Sequence, residues 1–501
     1  MPPASASTPN TAGAIARIVK EIAALQVNTD LSLAVAHKDS DVRTVRGLII
    51  GPPETPYEFG FFEFDIRFPK DYPLSPPSVR LLTTNGGRCR FNPNLYNCGK
   101  VCLSILGTWR GEKGEEWSSA QGLESLMLSV QSLMSANPYE NEPGYEDRKK
   151  TEPLPDAYVK KIRHETLRIA VIQRLEGLLG IEQDRFGTNR GGKSIKRKAD
   201  ALESVLGASD DAASPGAASS DDGVESGTPV TEPSIYEYDA EATFTALDTQ
   251  QYDPFADIVK RRFLWYYDTY IATVDKHAKE QKDGTHFERM EFEYPPNSME
   301  GTFAYASLRT RLERIKKALD DELTAWQTEG RRQVKAETQL ATQLAFQFKQ
   351  LQHTWNEGSS KDGSRLELSL PDPSNPFTWN LTLFGRPMTN LDGGIFNLTL
   401  SIPPTFGSTT SSAEQPRVKV ETPLFHHRVS TTGTLCYFPQ AEDSVASHLE
   451  AIVEVSEDAN PRFDPRAVMD PESFGLFWGG EEKRKVYGRK LRRSAQDSCE
   501  F

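Results

Sequence analysis

No apolar run in this 501-residue chain approaches the roughly 20 residues that span a bilayer. With 37% hydrophobic and 26% charged residues, a soluble protein is expected, and a membrane partner is excluded. The first 13 residues, MPPASASTPNTAG, lack the apolar stretch of a secretory signal. Cysteine is scarce as well. Cys89, Cys98, Cys102, Cys436 and Cys499 form neither a disulfide framework nor CxxC pairs of metal-site spacing, so a reducing compartment, cytoplasmic and/or nuclear, is expected with no metal. Between 199 and 250 the chain has no Lys or Arg but twelve acids, which account for nearly all of its net charge of -13. No concentrated basic face is left for nucleic acid.

That acidic stretch is rich in Ala, Ser, Gly and Thr and has too little apolar surface to offset its ordering entropy. Residues 184–251 are therefore expected to be a disordered acidic linker. Lys193, Lys196, Arg197 and Lys198 at its edge fit either a nuclear-import signal or an ordinary solvated linker edge.

What is present falls into two similar runs. Before the linker, Ile15, Ile18, Ile22 and Leu25 share one face of a helix. The runs TVRGLII (44–50) and FFEFDIRF (61–68) read as strands joined by the turn-rich GPPETPYEFG. The prolines of DYPLSPPSV exclude a central strand or helix interior there. Helices are expected at 123–134 and 157–179, completing an α+β layer. After the linker, an aromatic-rich helix is expected at 257–279. A second is expected at 305–326, striped by Leu308, Leu312, Ile315, Leu319 and Leu323 and interrupted by Gly330. A third, at 334–355, leads into the strand-like LELSL, TWNLTLF and IFNLTLSI, repeating the order of helix then strands.

Chemistry concentrates between Arg88 and Trp117, where the chain reads RCRFNPNLYNCGKVCLSILGTWRGEKGEEW. The Asn-Pro-Asn turn, Gly99, Val-Cys-Leu and the downstream Trp resemble the active-site stretch of ubiquitin-conjugating enzymes. Asn94 stands eight residues before Cys102, as the family's Asn stands before its cysteine. GPPETPYEFGFF, DYPLSPPSV and NPYENEPG match the family's surrounding landmarks. The N-P-N variant with LGTW and NPYxNEP resembles the large, extended Z type. DPFADIVKRRFLWYYDTY and FAYASLRTRLERIKKAL look like that type's C-terminal extension, displaced here by the acidic insertion.

The resemblance implies the UBC fold: an N-terminal helix, a four-stranded antiparallel sheet and C-terminal helices. It also implies a catalytic domain over 14–183, with its helical extension over 252–333. Cys102 would be the thiol that takes ubiquitin, or a ubiquitin-like protein, as a thioester from an activating enzyme and passes it to a lysine. Asn94 would stabilise the developing oxyanion or order the loop that does so, and as a residue following Pro93 it is also a turn former. Glu140 or Glu142 would position the incoming lysine. No bound cofactor is implied, because ATP is used by the activating enzyme. Ubiquitin ligases are implied as further partners; this sequence departs from the family there in having Ser119 in place of the Pro after Trp117 and a longer EKGE loop.

The last third repeats the pattern. NPFTWNLTLFGRPMTNLDGGIF resembles the family's strand and turn, and Gly385 precedes Cys436 by 51 residues, as Gly51 precedes Cys102. A second, degenerate UBC-like domain is expected over 334–501 as a tandem repeat. Arg428 stands at the Asn position, His426-His427 replaces the preceding Asn-Pro, and the cysteine-to-Asn-Pro interval is 24 rather than 35 residues. The retained Cys436 argues for a second acyl carrier; the lost amide and loop argue for a scaffold. For the whole chain the competing readings are a conjugating enzyme and a non-catalytic adaptor that binds ubiquitin or ligase components.

Overall fold

The computed structural model describes residues 11–27, 30–109, 111, 114–181, 253–294, 299–357, 365–408, 413–458 and 460–500. The acidic linker and its basic edge lie outside them. Among the described residues no helix is long and apolar enough to cross a membrane.

The first isoleucine stripe forms α1 (Thr11–Gln26), with Ile18 and Ile22 buried. It packs on an antiparallel sheet of β1 (Leu33–Lys38), β2 (Asp41–Ile50), β3 (Phe61–Arg67) and β4 (Ser78–Leu81), in sequential order. The β2–β3 turn needs glycine because a Cβ on Gly51 would fall 1.7 Å from the Tyr57 carbonyl oxygen. Helices α2 (Leu123–Ser132) and α3 (Pro153–Glu165) follow; α3 runs on through a π-helical stretch (Thr166–Gln173) into α4 (Arg174–Leu179). This is the expected UBC architecture of helix, four-stranded sheet and C-terminal helices.

Beyond the linker, α5 (Ala256–Glu280) and α6 (Tyr305–Lys335) form a long helical hairpin. Gly330 does not interrupt α6, contrary to the expectation from sequence. A Cβ there would come within 2.8 Å of the Phe377 ring, so this glycine serves a close approach inside a continuous helix. The chain turns instead at Glu337, whose φ is 51°, and α7 starts later than expected, at Gln339, ending at Glu357. Because α6 extends to Lys335 and packs against Phe377, the expected boundary at 333/334 falls inside a helix.

A second antiparallel sheet, β5 (Arg365–Ser369), β6 (Thr378–Phe384), β7 (Ile395–Ser401) and β8 (Arg417–Val420), again runs in sequential order. Helices α8 (Val445–Glu457), α9 (Pro471–Trp478) and α10 (Glu481–Asp497) close it. Its first turn repeats the earlier geometry: Gly385 N–H donates to Gly394 O at 2.9 Å, as Gly51 donates to Gly60 O at 2.9 Å. Three apolar cores result. One lies under each sheet, and the third joins α4, α5 and α6 to Ile50 and Phe61 on one side and to Cys436 and Met469 on the other.

Candidate active site

The cysteine loop is built as a tight hairpin. Leu95 bridges Val101, Tyr96 N–H donates to Lys100 O, and Gly99 turns the chain at a φ of 90°. A side chain at Gly99 would strike Leu81 O at 2.5 Å, which explains a glycine three residues before the thiol. Cys102 N–H donates to Asn94 O at 2.9 Å, and Asn94 Nδ2 returns a bond to Cys102 O at 2.9 Å. The two residues that the sequence singles out are thus locked together through main-chain groups. On the far side, Thr108 of LGTW accepts from Leu103 N–H and donates to Val101 O, which fixes the residues flanking the cysteine.

Asn92, the first Asn of N-P-N, is fully buried and has a role the sequence reading did not assign. Its Oδ1 accepts from Asn94 N–H at 2.9 Å, and its Nδ2 donates to Tyr57 OH and Leu133 O. Arg90 is a second such residue, 4% exposed. Its guanidinium donates to Pro93 O, pairs with Glu142 Oε2 at 3.3 Å and lies 4.4 Å from the Tyr96 ring centroid. Its main-chain N–H meets Met299 Sδ at 3.2 Å and its Nη1 donates to Phe292 O. The extension therefore reaches the back of the cysteine hairpin through Arg90. An ion pair at Lys161–Glu293, almost wholly buried at 2.6 Å, fixes the same segment.

Burial pushes the Cys102 thiol above the usual range, while Lys100, a hydrogen bond from Tyr96 and Arg90 act against it. The residue is only 3% exposed. Of the two candidate acids, Glu142 joins the hairpin through Arg90, and burial raises its pKa with Arg90 opposing. Glu140 accepts from Asn137 and Ser135 within its own turn. Trp117 Nε1 donates to Pro73 O, anchoring the loop beyond the lengthened EKGE stretch to the proline-rich connection.

The second sheet carries a matching hairpin. Cys436 N–H donates to Arg428 O at 2.8 Å, Val429 bridges Leu435, and Gly433 turns at a φ of 85°. His426 Nδ1 accepts from Arg428 N–H, the role Asn92 plays for Asn94. The side-chain chemistry differs: Arg428 Nη1 lies 3.5 Å from Cys436 Sγ and makes no bond to the Cys436 carbonyl. Cys436 is 0% exposed beneath α5, and burial raises its pKa against the pull of Arg428 and Arg262.

This fold and hairpin agree with what comparison finds: residues 17–165 match the family model described as ubiquitin-conjugating enzyme. The first domain belongs to that family. The chain is 47% identical over 163 residues to ubiquitin-conjugating enzyme E2 Z of Xenopus tropicalis, covering 32% of this chain and 51% of that protein. The human E2 Z is 47% identical over 161 residues, 32% of this chain and 44% of its own length. The human dual E2 ubiquitin-conjugating enzyme/E3 ubiquitin-protein ligase BIRC6 is 42% identical over 180 residues, 34% of this chain and 4% of that one. The match thus spans about half the length of the curated E2 Z relatives and leaves about two thirds of this chain outside it.

Proposed function

We propose that the chain accepts ubiquitin, or a ubiquitin-like protein, as a thioester on Cys102 from an activating enzyme and transfers it to a lysine. The observation that carries this is the Asn94–Cys102 lock on a glycine-turned hairpin inside a domain of the ubiquitin-conjugating family. Attack of the Cys102 sulfur on the incoming thioester carbonyl releases the activating enzyme's thiol; attack by a lysine amine then releases Cys102 and forms the amide. Asn94 keeps the loop in place through its bond to Cys102 O, and in this reading its amide also stabilises the negative charge developing on the carbonyl oxygen. Glu140 or Glu142 positions the amine. Ligases would add contacts on the same domain.

The second sheet is read as a degenerate tandem copy that acts as a scaffold. Its Asn is replaced by Arg428, and its cysteine, 0% exposed against 3% for Cys102, lies in the core that includes α5; both support the carrier role falling on Cys102. A gel with activating enzyme, ATP and ubiquitin tests both readings. A thiol-sensitive adduct is expected that vanishes in Cys102→Ala and survives Cys436→Ala. An adduct persisting in Cys102→Ala and lost in the double variant would establish a second carrier site. No adduct in the unaltered chain would favour the non-catalytic adaptor.

A further inference from the structure

A cavity of about 1250 Å³ opens between β1 and β2 of the first sheet, α5, and the hairpin and the 461–466 segment of the second region. Five arginines line it: Arg261, which pairs with Asp257 and Glu442, Arg462, and a further three, Arg262, Arg428 and Arg466. Among the described residues no ion pair to a carboxylate involves Arg262, Arg428 or Arg466. Arg262 rests 4.0 Å from the Trp265 ring centroid, and its buried Nη1 has no acceptor. Arg428 is 9% exposed, and among the described residues its guanidinium has one hydrogen-bond partner, the Cys436 sulfur at 3.5 Å. Arg466 makes one long bond, from Nε to Ile50 O at 3.4 Å. Burial makes Arg262 and Arg466 hold their protons less tightly than usual.

Carboxylates line the cavity as well, but Glu442, Glu454 and Asp458 are exposed side chains. The charges of Asp30 and Asp464 act on Arg466, opposing the effect of its burial. Leaving guanidinium donors without acceptors in a low-dielectric cleft is costly. A group with two charges and three acceptor oxygens would satisfy several of these donors together. The remaining wall is largely apolar, as small-molecule sites commonly are.

We propose that this cavity binds a small organic phosphate, its phosphate held by Arg262, Arg428 and Arg466 and its organic part lying against Ile50, Phe438 and Pro439. The site lies outside the Cys102 machinery and does not depend on that cysteine being charged. Calorimetric titration of the full chain with AMP, and separately with inorganic phosphate, tests it. Saturable AMP binding is expected, tighter than that of inorganic phosphate, and weakened by about tenfold or more in Arg428→Gln, as loss of a charge-assisted hydrogen bond predicts. Arg428→Lys, which keeps the charge but not the planar fork, should fall between the two and guards against a folding defect in the first variant. Charging of Cys102 should be unchanged in both. Absence of AMP binding at millimolar concentration, equal affinity for AMP and inorganic phosphate, or undiminished binding in Arg428→Gln would each overturn the proposal.

Discussion

Asn94 commits its side-chain amide to the main chain of the residue it serves, and that bond defines what its loss should do. In Asn94→Ala the hairpin keeps its main-chain bond from Cys102 to residue 94 but loses the return bond from Nδ2. Ubiquitin should still load on Cys102, whereas discharge to free lysine should slow by ~10²-fold, the usual effect of removing an oxyanion donor. A pulse-chase with lysine reads the two steps separately, and unchanged discharge would reduce Asn94 to a turn residue. Arg428, at the same register in the second hairpin, directs its charge at the sulfur instead.

Among elements, the extension between α5 and α6 is joined to α3 by the Lys161–Glu293 pair, and Lys161 also donates to Glu288 O. Glu293→Gln leaves a buried ammonium without its counter-charge and should cost about 3–5 kcal/mol in urea melting. Replacing both partners, Lys161→Met with Glu293→Leu, should recover most of that loss. The second sheet has a different weakness. His427 is stacked on Phe477 at 3.9 Å, and burial drives its pKa far down; burial also holds His426 at about 3 and His448 at about 4. The unfolded chain, with histidines near 6.5, binds more protons below that pH, so the stability they contribute is complete above about 6.5 and falls as the pH drops toward 4. Glu165 of the first domain, buried but paired with Arg168 and His164 and held at about 2, loses its contribution only between about 4.5 and 2. An acid titration followed by circular dichroism and hydrogen exchange should therefore show the second sheet opening first.

At the scale of the whole molecule, the α5–α6 hairpin ties the two sheets together. Arg417 of β8 pairs with Asp257 of α5 at 2.6 Å with both nearly buried, Lys260 bridges Glu322 and Glu414, and Tyr266 OH donates to Arg466 O. Asp257→Asn should loosen this junction and expose Cys436, read as faster alkylation at that residue by mass spectrometry. In the unaltered chain Cys98 and Cys499, both exposed, should react first. Limited proteolysis should cut within the acidic stretch at 184–251 and leave the two fragments associated through the third core, which takes residues from both sides of it. Fragments that separate on gel filtration would show that this core does not hold them.

The sequence by itself determined β2 and β3 of the first sheet, its helices and the place of the cysteine hairpin, because β-branched and aromatic runs, turn residues and the N-P-N to Val-Cys-Leu spacing are local signals; β1 and β4 were implied only by the family resemblance. It also marked a second hairpin by the equal Gly-to-Cys interval, since register repeats along the chain whether or not the chemistry does. It misread Gly330 as a break, because the reason for that glycine is Phe377, 47 positions away. The roles of Arg90 and Asn92 were not legible either, for their partners Met299, Phe292, Glu142, Tyr57 and Leu133 meet them only in the folded chain. Only the tertiary structure decided that Cys436 is sealed under α5 while Cys102 sits on a hairpin braced by the extension. Burial and long-range charge set a thiol's reactivity, and neither is a property of the residues next to it.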